Sequence, residues 1–307
     1  MVKITNEIVL KIAKELGFDI IGFAKAKILN DEILLYQNWL KNGFQSNMDY
    51  MNKNTDKKKD VSKILPSVKS IISLGVSYYK DEDYTDKSDN AGKVSRYAWG
   101  KDYHIVLKEM LNKLESQLKE IDNKFESISY VDTGPVLDKV WAIKAGLGWM
   151  GKHTNVINKN IGSWFFIGNI FCNYEFIYSK EINDFCGSCN ACIEACPTGA
   201  IIVPYIVDSN KCISYYTIEN KGVIPTEFKN KFDDWAFGCD ICQDVCPWNQ
   251  KFSKVTDVKE FEAKNKFIKK DEIEQMSESE FNNKFKDSPI KRSKLKGIKR
   301  NLSFILD

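Results

Sequence analysis

Eight of the nine cysteines fall between Cys186 and Cys246, and their spacing constrains this chain more than any other feature. The first run is Cys186-x2-Cys189-x2-Cys192-x3-Cys196-Pro197, the spacing of bacterial ferredoxins that hold 4Fe–4S clusters. A cubane needs thiolates on several sides. Tight two-residue turns bring three onto one cluster, and the fourth then points toward a second. The other run, Cys239-x2-Cys242-x3-Cys246-Pro247, lacks its first cysteine, and Cys212 can replace it. If each run's last cysteine crosses over, one cluster takes Cys186, Cys189, Cys192 and Cys246, and the other takes Cys196, Cys212, Cys239 and Cys242. Structural zinc also uses Cys-x2-Cys pairs, but two Cys-Pro endings and two interlocked runs are unusual for it. Cys172 is left over in an apolar run and reads as a buried, inert thiol.

The rest of the chain must then supply the electron acceptor. Its 307 residues suit one large domain or two ordinary ones, 43% of them are hydrophobic, and the net charge is +3. That balance permits a polyanionic partner without requiring one. No run of about 18 apolar residues occurs, so no transmembrane helix is expected. The first 17 residues read as an amphipathic helix capped by Thr5 and ended by Gly17, not as a signal peptide. Both points predict a cytoplasmic protein, where clustered thiols mean metal or redox chemistry rather than disulfides. Apolar runs at Phe18–Ala24, Ser70–Tyr78, Phe125–Asp132 and Ser163–Phe171 read as strands, and residues 5–16, 31–41, 102–122 and 135–146 as helices. The fold class is therefore an α/β (α+β) N-terminal domain over 1–180. A ferredoxin-like module follows over 181–252, then a short, basic, helical segment over 253–307. Residues 81–93 read as a polar, mobile loop.

Residues 144–154 contain Gly146-x-Gly148-x-x-Gly151, which imitates a dinucleotide motif, and Gly146-x4-Gly151-Lys152-His153, which imitates a P-loop. A P-loop needs Ser or Thr where His153 stands, and both motifs need a preceding strand where this sequence reads as helix. A turn that lets backbone approach a flat or phosphate-bearing ligand is the favoured reading, and a tight helix-to-strand turn the alternative.

The run SYVDTGPVLDKVWAIKAGLGWMGKHT, then GSWFFIGNI, CGSCNACIEACPTGAI, KCISYYTIE and GCDICQDVCPWN, resembles epoxyqueuosine reductases, as do the earlier RYAWGKDYH and LPSVKSIISLGVSYY. The resemblance covers roughly residues 1–300. It implies a cobalamin-binding N-terminal domain similar to that of reductive dehalogenases. It also implies reduction of epoxyqueuosine to queuosine at the wobble position of tRNA, the last step of queuosine biosynthesis. Loss of the epoxide oxygen as water takes two electrons and two protons. The clusters would reload the cobalamin, and the family's matching aspartate, Asp132 here, would be the proton donor. A free aspartate has a pKa near 3.9, so burial or the nearby corrin would have to raise it. The helix N-cap is the competing role for Asp132.

By the same resemblance Lys58, Tyr97, Asp132, Lys152, Ser214 and Asp240 are the residues expected to contact the cobalamin, Ser214 and Asp240 because they neighbour Cys212 and Cys239 where electrons would leave the second cluster. His104, in Asp102-x-His104, lacks the glycine of the cobalt-ligand motif because Leu107 occupies its place, and reads as structural or second to the site. No histidine lower ligand is expected.

Residues 284–300 carry eight basic residues and one acid, a run able to neutralise tRNA phosphates or to form a solvated helix face. Lys291, Arg292, Lys299 and Arg300 are the residues expected to meet tRNA. Some relatives carry a longer helical-repeat C-terminus, so the RNA footprint here is expected to be reduced. A monomer fed by an external low-potential electron donor, with no membrane partner, completes the reading. A corrinoid dehalogenase is one alternative, against which stand the missing twin-arginine signal and the basic tail. A ferredoxin-type carrier without enzymatic activity is the other, and it leaves the first 180 residues without a role.

Overall fold

A computed structural model describes residues 3–85 and 88–307. All four strands expected from the sequence meet in one sheet, in the order Ile20–Lys25, Ser70–Ser77, Phe165–Cys172, Ser127–Tyr130. Every pairing is antiparallel, with Ile72 opposite both Phe23 and Ile170. Ser70–Ser77 is buried along its whole length, because helices cover both faces of the sheet. Covered faces explain why these strands read as unbroken apolar runs and not as an alternation.

One face buries Ile72, Leu74 and Val76 under the helices Asn6–Glu15 and Tyr103–Ile121, whose Val9, Ile12, Leu107, Leu111 and Leu114 close the layer. Burying each such side chain stabilises the fold by about 1.5–3 kcal/mol. The other face receives Trp141 and Ala142 of the helix Asp138–Lys144 against Ile71 and Phe171. A polar seam crosses that face, where Ser73 Oγ donates to Asn169 Oδ1 at 2.5 Å and Asn169 Nδ2 donates to Asp138 Oδ1 at 2.9 Å. The seam fixes the start of the helix that follows the Asp132 loop. Cys172 ends its strand wholly buried, and burial pushes its thiol up to about 12, in keeping with an inert role.

The glycine-rich stretch is the tight helix-to-strand turn and not a ligand cradle. Gly146 follows the helix at φ +72°, with its own N–H on the Ile143 carbonyl and the Leu147 N–H on that of Ala142. That is a Schellman cap. At Gly148 a Cβ would lie 2.1 Å from the Ile157 carbonyl oxygen, so the protein's own backbone takes the space that a ligand would need. The hairpin of Trp149–Met150 with Val156–Ile157 follows directly.

The segment after residue 252 is woven into the rest of the chain. Phe267–Lys269 pairs antiparallel with Ala91–Val94, which pairs parallel with Trp235–Phe237. Residues 91–94 are therefore strand and not part of a loop, while residues 86 and 87 of the expected loop lie outside the described residues. The helix Lys294–Leu306 lays Leu295, Ile298 and Leu302 on this sheet, against Val94, Ala236 and Phe237. Each sequence-defined segment thus contributes one strand to a shared core. No helix among the described residues is long and apolar enough to cross a membrane.

Candidate active site and cluster sites

The two cysteine runs fold alike. Each places one cysteine on a one-turn helix, Cys192 on Ala191–Glu194 and Cys242 on Ile241–Asp244. Proline at the first turn of Pro247–Phe252 then turns the chain away behind Cys246. Cys186, Cys189, Cys192 and Cys246 line one cavity of about 390 Å³, beside Phe185 and Trp248. Burial, and then the charges of Cys186, Cys246 and Cys189, push the Cys192 thiol up to about 11. Burial, and then Cys212, Cys192 and Cys196, raise Cys242. Burial and neighbouring Cys242 and Cys212 raise Cys239. The thiols thus gather into the two crossed-over sets, and Cys192 and Cys242 bring the sets side by side. Among the described residues no group of His, Cys, Asp or Glu is placed to hold a metal ion. Four thiols lining one cavity suit a polynuclear cluster, whose cationic iron relieves their mutual repulsion.

Asp132 lies past the end of Ser127–Tyr130 at φ +58°, a conformation that aspartate tolerates better than most residues. Its carboxylate accepts from Tyr103 Oη at 2.8 Å and stands 3.7 Å from His104 Nε2. Both partners sit on the first turn of Tyr103–Ile121, whose N-cap Asp102 accepts from the His104 backbone N–H and holds the ring Nδ1 at 2.8 Å. Burial alone would lower the imidazole, but Asp102 and then Asp132 outweigh it and raise His104 to about 9. The facing imidazole of His104 in turn holds Asp132 below its usual range, against the upward push of burial. This arrangement favours the positive charge on His104 and the negative charge on Asp132.

Asp132 is 61% open to solvent, yet protein gathers round it closely enough for burial to oppose its ionisation. Lys139 shows the same combination, an exposed side chain whose ammonium is depressed by burial. These groups wall a cleft, and the charge of Asp132 reaches Tyr50, Tyr97, Asp138, Lys139 and Arg292 around it. Its aromatic wall sets Tyr97 edge-on to Tyr103 at 6.2 Å and Tyr103 flat on Phe166 at 4.3 Å. Lys139 also feels Cys242, so the second cysteine set backs onto the same cleft.

Of the residues expected near a corrin, Asp132 and Tyr97 lie in this cleft and Ser214 lies against Cys212. The other three commit their polar heads to protein. Lys58 donates to Tyr36 Oη at 2.9 Å and the Met51 carbonyl at 2.7 Å, bracing the turn that carries Tyr50. Lys152 donates to the carbonyls of Gly187 and Cys189, both at 2.8 Å, and to Asn190 Oδ1 at 3.0 Å. Asp240 is fully buried and accepts from Ser95 Oγ, the Arg96 N–H at 2.8 Å, Arg96 Nη1 at 3.4 Å and Tyr84 Oη at 2.9 Å. Arg96 lies among the rings of Tyr79, Tyr84, Trp99 and Trp164 and also reaches Asp244 at 2.7 Å. It pins the second cysteine run to the N-terminal domain.

The four basic tail residues divide likewise. Arg292 pairs with Glu219 at 2.7 Å at the cleft and Lys291 is exposed. Lys299 caps the Glu274 carbonyl at 3.0 Å, and Arg300 holds the carbonyls of Asn220, Gly222 and Tyr216 at 2.7–2.8 Å.

A family model described as epoxyqueuosine reductase QueG matches residues 58–133, and one described as a 4Fe-4S double cluster binding domain matches residues 185–249. The epoxyqueuosine reductase of Cellulophaga algicola is 44% identical over 95% of both chains, and that of Cyclobacterium marinum 42% identical over 98% of this chain and 96% of the other. This chain belongs to the epoxyqueuosine reductase family. It is an oxidoreductase family, and the chain carries the double 4Fe–4S domain of its sequence pattern. A solved epoxyqueuosine reductase bound to an epoxyqueuosine-modified tRNA-Tyr stem loop superposes with a TM-score of 0.92 at 31% identity, over 98% of this chain and 80% of that one. The Bacillus subtilis enzyme, solved with the loop of its catalytic aspartate swung out of the active site, superposes at 0.91 with 30% identity and the same coverage. A catabolic reductive dehalogenase superposes at 0.50 with 15% identity over 96% of this chain and 38% of that one, a likeness of fold alone.

Three residues at or near this cleft carried too little sequence signal to be given roles. His104 was legible as a member of the Asp102-Tyr103-His104 cap, though its partner Asp132 is distant in sequence. Arg96 is a single basic residue whose buried acid, Asp240, is distant in sequence, and Lys139 finds its partners in the Thr154 carbonyl at 2.9 Å and Asn155 Oδ1 at 3.1 Å, which no local pattern marks.

Proposed function

We infer that this protein reduces epoxyqueuosine in tRNA to queuosine, using cobalamin and two 4Fe–4S clusters. The observation that carries the reading is the meeting of a proton source and an electron source on one cleft. The Asp132–His104 pair lies there, and Lys139 feels both Asp132 and Cys242. Full-length identity to epoxyqueuosine reductases supports it over dehalogenation, for which only a likeness of fold speaks.

The two thiol sets would hold the clusters, the set that includes the exposed Cys189 receiving electrons from an external low-potential donor and the set of Cys242, near Lys139, passing them to the cleft. The aromatic wall with Tyr97, and Ser214 beside Cys212, would hold the cobalamin. When bound, it supplies a strongly reducing metal centre. No histidine lower ligand is expected, because His104 is engaged by two carboxylates and His153 lies by the first cysteine set. His104 would pass its proton through Asp132 to the departing epoxide oxygen, and solvent would reload the pair and supply the second proton that release as water requires. Tyr103 fixes the carboxylate's orientation. Lys291 and Arg292 would take tRNA phosphates at the cleft mouth. The protein is proposed to act as a cytoplasmic monomer.

The test is reduction of epoxyqueuosine-containing tRNA by anaerobically reconstituted protein, with a strong reductant and with or without cobalamin. Cobalamin-dependent queuosine is the expected result. No product, with both clusters intact and cobalamin bound, would send the chemistry to another substrate.

A further inference from the structure

Two ring N–H groups stand buried beside the first cysteine set with no nitrogen or oxygen acceptor, Trp149 Nε1, which faces the Cys186 sulfur, and His153 Nε2. Their residues are 2% and 4% exposed. Trp149 packs with Ile157 and Cys246, and Cys186 lies against them. His153 lines the same cavity as Cys186, Cys189, Cys192 and Cys246. The other imidazole nitrogen, Nδ1, accepts the Asn155 backbone N–H at 3.2 Å, so the ring proton belongs on Nε2 and makes it a donor. A buried donor with no partner is costly, and native folds seldom retain one without an acceptor to meet it. Cluster sulfur is an acceptor. Between the two rings in sequence, Lys152 is 7% exposed and ties the Gly187–Asn190 loop down through three hydrogen bonds, which sets a positive charge at the same wall.

We propose that the hairpin beginning at Trp149, part of the N-terminal domain, tunes the outer cluster: Trp149 and His153 donate N–H···S hydrogen bonds to its sulfurs. The inference rests on the assignment of Cys186, Cys189, Cys192 and Cys246 to one cluster. Reduction adds one negative charge to the cluster, and donors aimed at its sulfurs stabilise that charge and raise the potential. Trp149 and His153 act through the cluster and are positioning residues. The segment that follows the helix Asp138–Lys144 thereby also sets how readily the outer cluster accepts an electron from its donor.

The test is an EPR-monitored potentiometric titration of the full chain, anaerobically reconstituted, as unaltered protein and as the variants Trp149→Phe, His153→Leu and His153→Gln. Trp149→Phe and His153→Leu are expected to take up iron and sulfide fully and to move one cluster's midpoint to a more negative potential while the other stays in place. His153→Gln keeps an N–H donor and is expected to stay near the unaltered value. If His153→Leu loses its cluster, Trp149→Phe and His153→Gln still decide the matter. Unchanged midpoints in fully loaded Trp149→Phe, or a His153→Gln shift as large as that of His153→Leu, overturn the proposal. An unaltered chain that takes up no cluster overturns the cluster assignment itself, a failure that iron analysis separates from the first.

Discussion

Replacing Asp132 with Asn tests whether the site proton is stored on His104. His104 is raised from its ordinary 6.5 to about 9, a gap equivalent to about 3 kcal/mol in favour of the imidazolium. Because the folded value is the higher one, that stabilisation is fully present below pH 6.5 and is lost as pH rises through about 9. Of the two carboxylates responsible, Asp102 at 2.8 Å acts more strongly than Asp132 at 3.7 Å. Asp132→Asn should therefore lower His104 yet leave it above 6.5, whereas Asp102→Asn should lower it further. Turnover in Asp132→Asn should fall by about 10²–10⁴-fold, the usual contribution of a positioned acid, with cobalamin binding retained. The assay is an NMR titration of histidine-labelled protein. The chain has two histidines, and a His104→Gln variant assigns them. A His104 that titrates identically with and without Asp132, or wild-type turnover in Asp132→Asn, would refute the passage of its proton through Asp132.

Arg96→Met leaves Asp240 buried and unpaired and should destabilise the protein by about 3–5 kcal/mol, read from anaerobic urea unfolding followed by cluster absorption; a change under about 1 kcal/mol would remove Arg96 as the pin of the second cysteine run. Lys291→Ala with Arg292→Ala should flatten the salt dependence of tRNA binding by about 0.9 in logarithmic slope for each phosphate no longer neutralised. Arg300→Ala, which releases three backbone carbonyls, should instead lower the melting temperature and leave that slope unchanged. Gly148→Ala forces a methyl onto the Ile157 carbonyl and should cost about 1–3 kcal/mol, measured as a lowered urea midpoint.

What the sequence disclosed and what it hid follow from the range of the forces involved. The four central strands were legible because each is an apolar run between turn residues, and burial on both faces leaves that signature intact whatever the partners are. Ala91–Val94 was not, since Ala-Gly-Lys-Val after a polar stretch becomes strand only through pairing with Trp235–Phe237 and Phe267–Lys269, both remote in the chain. The double-cluster domain was legible because cluster geometry imposes its cysteine spacing on the chain directly. Asp132 could be named from resemblance, but the direction of its pKa could not, because His104 reaches it only across the junction of helix and sheet. The tail makes the same point for charge. Arg292 and Arg300 are equivalent letters in one basic run, yet one guanidinium meets a carboxylate at the cleft and the other closes three backbone carbonyls. A run of positive charge states how much is available for phosphate. How much of it the fold has already used is decided by carbonyls whose positions no local pattern records, and that makes the paired comparison of Arg292 with Arg300 the sharper test of where tRNA binds.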